Sequence, residues 1–435
     1  MRIRKPSAPG IVLFLLCVMY FLTYVDRVNI ATAGPVIQKE FGFSNTELGH
    51  VFSAFGYSYA LLQVPGGWLG DRLGPRKTLL ICGGVWALTT AVIGLSVGLA
   101  SLMIFRIVLG FGEGATFPTA TRAMQNWVPA DRRGFAQGVT HSFARLGNAV
   151  TPPVVVALMA WLTWRGAFVA LGVVSMVWAV VWWLYYRDDP HDHATITPAD
   201  LERLPPRSAA KTTAKNVPWG PLIVRMLPVT LTYFCYGWSL WMFLNWLPSF
   251  FLQPAYHLDL KKSALFSSGV FFAGVVGDAL GGIISDHLFR KTGRVAFSRL
   301  VVIIIGMVGA AVFLIPVTFL HDVVPVALCL SGGFFCLELV IGPIWAVPMD
   351  IAPQYSGTAS GLMNTGSAVA AIVSPLAFGY ILDLTHNDYS VPFYGSVGFL
   401  LVGAVLSFTM HPERKFVAQP GVELPVAKVE SQHKP

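Results

Sequence analysis

The chain has 435 residues, of which 54% are hydrophobic and only 12% are charged, where an ordinary soluble domain carries roughly 25% charged residues. That composition excludes a soluble globular or disordered protein and defines one that lives in a bilayer. The net charge of +8 implies no nucleic-acid partner, because orientation in a membrane accounts for where the basic residues lie.

Runs of about 20 apolar residues, the length that crosses hydrocarbon as a helix, fall at 11–33, 47–70, 77–97, 99–122, 134–160 and 164–186. Six more follow at 228–252, 264–288, 299–320, 324–348, 357–383 and 392–411. The polar stretch between the two sets contains DDPHDH and PPRSAAKTTAK and reads as a loop. The sequence therefore predicts an all-α membrane protein with a six-helix half at 1–186, a cytoplasmic linker at 187–227, a second six-helix half at 228–411 and a cytoplasmic tail at 412–435.

Cytoplasmic loops should hold the positive charge. With the N-terminus inside, 23 of the 30 Lys and Arg lie in the cytoplasm, and only Lys39, Arg165, Lys261 and Lys262 lie outside. The remaining three, Arg27, Arg106 and Arg145, stand inside spans. The opening RIRK before an apolar run is also how a signal peptide begins, but no small-residue cleavage site follows, so a retained first span is expected. Cys17, Cys82, Cys235, Cys329 and Cys336 all lie in spans without a C-x-x-C, which suggests packing rather than a disulfide framework or a metal site.

The two halves share a design. The segment G67-WLG-D71 recurs as G282-IIS-D286, and G134-FAQ-G138 with Pro152 recurs as G357-TAS-G361 with Pro375. Transporters built from such repeats place their site at the interface of the halves, near the midplane.

Seven ionisable side chains fall within spans: Asp26, Arg27, Arg106, Glu113, Arg145, Asp278 and Glu338. At roughly 2.5 to 3.5 kcal/mol for each charge at a helix centre facing lipid, they must face protein or water instead. Helical spacing places Tyr20, Tyr24 and Arg27 on one face, His141, Arg145 and Asn148 on another, and Phe234, Trp238, Trp241 and Asn245 on a third. Arg106 and Glu113 share a face but stand ~10.5 Å apart along the axis, too far for a direct salt bridge. GFGEGA at 110–115 lies in an apolar helix with no strand before it, so Gly110 and Gly114 read as a close helix-packing pair and not a nucleotide loop. Asp278 and Glu338 read as weaker functional candidates than Asp26 and Glu113. Three cations and two acids in one half point to an anion bound by Arg, whose planar fork pairs with carboxylates, and to protons exchanged with the acids.

The loop PGGWLGDRLGPRKTLL, 65–80, resembles the signature loop of the major facilitator superfamily, and the resemblance extends over essentially the whole chain. It implies a gating role for Asp71, Arg72 and Arg76 at the cytoplasmic helix ends. At YVDRVNIA, SAFGYSYALLQVPGGWLGDRLG and FRIVLGFGEGATFP the sequence is similar to the anion:cation symporter branch, which includes sugar-acid permeases and sialin-type carriers. By position, that resemblance makes Asp26 and Glu113 proton sites, puts Arg27 and Tyr59 on the substrate, has Arg106 link the substrate to Glu113, and places Asn364, from the run GLMNTGSA, at the substrate on the C-terminal side. One departure is notable: where galactonate-type permeases carry a glutamine in span five, this chain has Ala144 followed by Arg145.

The expected protein is a transporter and not an enzyme, monomeric, multi-pass in a bacterial inner membrane, with no cofactor or metal beyond protons as coupling ion. It is expected to carry a small organic carboxylate, a sugar acid such as an aldonate or hexuronate, inward with protons. Arg27, Tyr59, Arg106, His141, Arg145, Trp238, Trp241, Asn245 and Asn364 would contact it. An exchanger of organic phosphate or another anion, of the same fold, is the alternative, and a membrane sensor or enzyme lacks any supporting motif.

Overall fold

Ser7 and Gly42 delimit the first helix, α1 (Ala8–Phe41): the Ser7 hydroxyl accepts from Gly10 N at 3.3 Å, and Gly42 turns left-handed at φ 70°. Such a side-chain cap and glycine stop satisfy backbone groups that a helix end leaves orphaned. The computed structural model describes residues 7–129, 133–204, 217–352 and 356–416, and they contain helices and no strand.

Along the first half run α2 (Asn45–Leu61), α3 (Gln63–Leu73), α4 (Pro75–Ile93), α5 (Leu99–Gly114), α6 (Thr116–Trp127) and α7 (Arg133–Tyr185), with a short α8 (Pro198–Leu201) beyond. The second half holds α9 (Trp219–Phe251), α10 (Leu260–Thr292), α11 (Val295–Val317), α12 (Val323–Glu338), α13 (Ile341–Ile351), α14 (Ser356–Leu384) and α15 (Ser390–Ser407). Nine helical stretches among the described residues are long and apolar enough to cross a membrane.

Three predicted spans are each built from two helices. Span two breaks at Leu62, span four at Ala115, and span ten at Leu339 and Val340. Spans five and six, conversely, form the single long α7, interrupted only at Thr163, whose φ of 62° and ψ of 173° are not helical. A β-branched residue rarely takes positive φ, so Thr163 marks a true turn within α7, at the junction expected between spans five and six.

Helices α1 and α9 each lie against a long partner, α7 and α14, and α7 also meets α10 while α14 meets α2. Small residues allow the closest approaches: a Cβ at Gly147 would stand 2.6 Å from Phe21 O on α1, and one at Gly366 would stand 2.1 Å from Thr230 O on α9. Gly110 and Gly114 form the expected packing pair, since Cβ atoms there would meet Phe55 O at 2.3 Å and Leu62 Cβ at 2.7 Å. Without an apolar driving force between helices in lipid, such backbone proximity is what holds a bundle together.

At one end α2 and α14 are joined by a cap supplied from a distance. The Asp383 carboxylate, on α14, accepts from Asn45 N at 3.1 Å, from Thr46 N at 2.7 Å and from the Thr46 hydroxyl. It thus satisfies free amides of the first turn of α2 alongside the capping box of Ser44 and Glu47. A cavity of about 420 Å³ lies at this end, lined in part by Pro35, Gln38, Asn45 and Asn387, and Pro35 stands ~12 Å along α1 from Arg27.

Candidate functional site

The first charged centre is assembled on α1. Arg27 Nε donates to Glu113 Oε2 at 2.7 Å, and the two side chains are 2% and 0% exposed. Aromatic rings enclose the guanidinium, with Tyr24 at 4.7 Å, Tyr59 at 4.7 Å, Phe117 at 4.9 Å and Phe55 at 5.2 Å from its carbon to their centroids. Such faces stabilise a cation where water is excluded. Glu113 occupies the last turn of α5, just before the break at Ala115.

Arg106, about two turns from Glu113 along the same face of α5, makes no ion pair with it among the described residues; Arg27 is the group that reaches the acid. Arg106 instead lies against the same Phe55 ring, at 5.1 Å, with Nε and Nη1 buried and unpartnered. Asp26, turned away from Arg27 on α1, accepts from the Ser175 hydroxyl at 3.0 Å and from Asn29 Nδ2 at 3.4 Å. An adjacent acid and base in one span are thereby accommodated on different helix faces, each with polar partners.

The second centre surrounds Arg145 of α7. Its Nε lies 2.7 Å from Glu338 Oε2 on α12 and 3.7 Å from Asp278 Oδ2 on α10. The Tyr236 hydroxyl donates to the Glu338 carboxylate at 3.3 Å. Arg145 Nη1 and Asp278 Oδ2 have no hydrogen-bond partner although both are buried. Asp278 and Glu338, ranked low from the sequence, thus belong with Arg145, and the clamp that holds Arg145 runs to α12 and α10 rather than to Glu113. Spacing along one helix cannot reveal a contact made by three.

One ring ties the centres together. Tyr24 lies 4.7 Å from the guanidinium carbon of Arg27 and 5.3 Å from that of Arg145, so the two cations are no farther apart than those distances laid end to end. Tyr24 shares a helical face with Arg27 in the sequence, yet neither it nor Tyr236 was singled out as a contact.

The remaining predicted residues surround these centres unevenly. Tyr59 stacks on Phe55 at 5.1 Å under Arg27, and Asn364 Nδ2 donates to Gln63 Oε1 at 2.9 Å, joining α14 to α3. His141 lies between Tyr20 and Trp345, at 5.3 and 5.5 Å. Trp241 Nε1 donates to the Ser367 hydroxyl at 3.3 Å, and Asn245 Nδ2 donates to Trp241 O at 2.8 Å within its own helix. Trp238 packs on Phe399 of α15 at 4.4 Å, and no contact links it to an arginine among the described residues.

At the ends expected to be cytoplasmic, Arg76 donates from Nε and Nη2 to Trp183 O at 3.1 and 2.9 Å, and its amide donates to Asp188 Oδ1 at 2.9 Å. It pins the start of α4 to the end of α7. Arg72 is exposed, and the side chain of Asp71 lies outside the described residues. In the second half, Arg299 bridges Asp286 at 2.9 Å and Asp350 at 3.1 Å, a three-helix tie that the sequence did not disclose beyond the repeated acid.

Helices that break at buried charges, two arginine–carboxylate pairs and ties at the helix ends define a membrane transporter and not an enzyme. The chain belongs to the Major Facilitator Superfamily, whose model matches residues 16–375.

It is 46% identical over 406 residues to a probable sulfoacetate transporter of Cupriavidus necator, covering 92% of this chain and 93% of that one. It is 30% identical to a hexuronate transporter of Bacillus subtilis over 91% of this chain and 92% of that one. It is also 30% identical to a D-galactonate transporter of Escherichia coli, over 86% and 90%. These relatives fit the anion:cation symporter branch. Among solved structures, an inward-facing, unoccupied bacterial homologue of the human lysosomal transporter Spinster matches with a TM-score of 0.76 at 17% identity, covering 95% of this chain and all of that one. A D-xylose–proton symporter matches at 0.72 and 15%, over 92% and 98%.

Proposed function

We propose that this protein carries a small organic acid with two anionic groups, a sulfocarboxylate such as sulfoacetate, into the cell together with protons. The working frame is a twelve-pass bundle of two six-helix halves, monomeric in a bacterial inner membrane, with both termini cytoplasmic and the linker between the halves. The observation that carries the reading is the shared ring: Arg27 and Arg145 stand on the Tyr24 ring, and Arg27 Nη2 and Arg145 Nη1 are buried without a protein partner. Two charge donors around one aromatic ring suit a compact ligand charged at both ends.

Coupling follows from competition for Arg27. An anionic group that reaches the guanidinium displaces Glu113, and a buried carboxylate stripped of its counter-charge takes up a proton rather than remain ionised. At an effective dielectric of about 20 a charge pair near 4 Å is worth roughly 4 kcal/mol, enough to make protonation and substrate binding nearly obligatory partners. Asp26, held by Ser175 from α7, is the second acid of this half and is assigned the relay of that proton.

A single-headed sugar acid is a second reading. The Asn364–Gln63 pair supports it, since amides at the edge of the site offer hydrogen bonds to hydroxyls, as do the 30% identical hexuronate and galactonate transporters. Reconstituted protein supplied with sulfoacetate or galactonate, with and without an inward proton gradient, tests both. Uphill, gradient-dependent sulfoacetate uptake is expected. Gradient-independent exchange would make the protein an exchanger, and preferential galactonate uptake would favour the sugar-acid reading.

A further inference from the structure

Glu113 and Glu338 stand at corresponding helix breaks, within one residue of the same register. Glu113 stands one residue before the end of α5, where span four breaks, and Glu338 is the last residue of α12, where span ten breaks. Each meets an arginine of a long helix at 2.7 Å, Arg27 of α1 in one case and Arg145 of α7 in the other. Each lies in the last turn of a half-helix, where the hydrogen bonding tightens at the break: Ala115 N and the Thr116 hydroxyl donate to Glu113 O, and Leu339 N and Val340 N donate to Phe335 O and Leu337 O. The resemblance to known carriers assigns a role to the first of these acids only.

We propose that Glu338, with Asp278 beside it, is a second proton-exchange site, using Arg145 as counter-charge in the way Glu113 uses Arg27. The inference rests on the proton-coupled reading above. Its ion pairs are separate from those of the first site, and only the Tyr24 ring is shared.

The charge balance of the cluster argues for it. Arg145, Glu338 and Asp278 are 1%, 0% and 7% exposed, and one cation faces two acids. With both acids ionised the cluster would hold an uncompensated buried negative charge, which is costly; one proton shared between them makes it neutral. The groups that face it are few. From α9, Tyr236 donates to Glu338, and Tyr233 stacks on Tyr236 at 5.2 Å while its hydroxyl accepts from Trp345 Nε1 of α13. From α1 comes the Tyr24 ring over Arg145, and from α10, among the described residues, Asp278 alone. On the α11 side Cys336 meets Gly309 and brings no charge. Close packing fixes the arrangement, since a Cβ at Gly274 of α10 would stand 3.0 Å from Glu338 Cγ and one at Gly277 would meet Phe335 O at 2.3 Å.

When the second anionic group of the substrate takes the Arg145 guanidinium, Glu338 is released and accepts a proton from the water of the open face. On the other face the substrate departs, the proton leaves to water, and the carboxylate returns to Arg145. Nothing but a proton and an anion changes place, so the step balances.

The test is proton uptake on sulfoacetate binding, measured calorimetrically by purified full-length protein in two buffers of different ionisation enthalpy. Because Asp278 is near enough to inherit the proton, the informative variant is Glu338→Gln with Asp278→Asn. Its uptake per bound sulfoacetate should fall by about one proton relative to wild type, by linkage, and Glu113→Gln should remove a separate share. Wild-type uptake in the double variant would overturn the second site while leaving proton coupling through Glu113 intact. No uptake in the wild type would overturn both readings. Should the double variant fail to melt cooperatively, adding Arg145→Gln removes the whole cluster, and the same loss of about one proton is expected from it.

Discussion

Arg27 Nε and Glu113 Oε2 lie 2.7 Å apart with both side chains withdrawn from solvent, so neither partner can be changed without stranding the other. Glu113→Gln keeps a hydrogen-bonding side chain beside Arg27 and removes only the charge. Uphill uptake should vanish in this variant while counterflow of sulfoacetate across proteoliposomes persists, and Asp26→Asn should behave likewise. Gradient-driven accumulation that survives in both variants would sink the proton assignment.

Arg145→Gln should act in two ways at once. Loss of a desolvated charge-assisted bond weakens binding by about 1.5 to 3 kcal/mol, or roughly ten- to a hundredfold, and by less for a monocarboxylate than for a dianion. Leaving Glu338 and Asp278 unpaired also costs stability, by about 3 to 5 kcal/mol for a broken buried pair. A second change, Glu338→Gln, separates the two effects: melting temperature should recover in the double variant and affinity should not. Recovery of both would mean that Arg145 only clamps helices.

Tyr24→Phe should leave sulfoacetate affinity within about twofold, because the ring face and not the hydroxyl meets Arg27 and Arg145. Tyr24→Ala should weaken it by about 0.5 to 2 kcal/mol, the range for a cation on an aromatic face. Titration of the two purified variants checks this, and equal affinities would remove the ring from the site.

Much of the bundle was legible in the sequence, for reasons that differ along the chain. Apolar runs outlined the long helices, because hydrocarbon admits little else. The breaks at Leu62, Ala115 and Leu339 escape a count of span length, which reads each run as one continuous span, although Gln63, Pro65 and Gly66 follow the first and Thr116 and Pro118 the second. Within the candidate site, Arg27 and Glu113 stood out as charges in a span. The cluster of Arg145, Glu338 and Asp278 did not, because it joins three helices far apart in the chain. Comparing span four with span ten brings Glu338 within one residue of Glu113, but it does not disclose Arg145 or Asp278 as its partners.

Asp383→Ala should loosen the end where α2 meets α14. A lost cap costs about 0.5 to 2 kcal/mol, which shifts a two-state equilibrium by roughly two- to thirtyfold. Spin labels at Lys39→Cys and Tyr394→Cys, on exposed positions of α1 and α15, should report a broader or longer distance in the variant. An unchanged distribution would argue that the cap stabilises α2 alone.

That cap also fixes what kind of seam this is. The Asp383 carboxylate and the amides of Asn45 and Thr46 are polar on both sides, so parting them exchanges protein hydrogen bonds for hydrogen bonds to water and exposes little hydrocarbon. At this cap the balance is set by hydration, which makes it sensitive to water activity more than to lipid composition, while farther along the same helices pack closely at Gly49 and Gly56. Excluded osmolytes, which disfavour newly wetted surface, should therefore hold that face shut, and a rate limited by its opening should slow in sucrose beyond what viscosity explains.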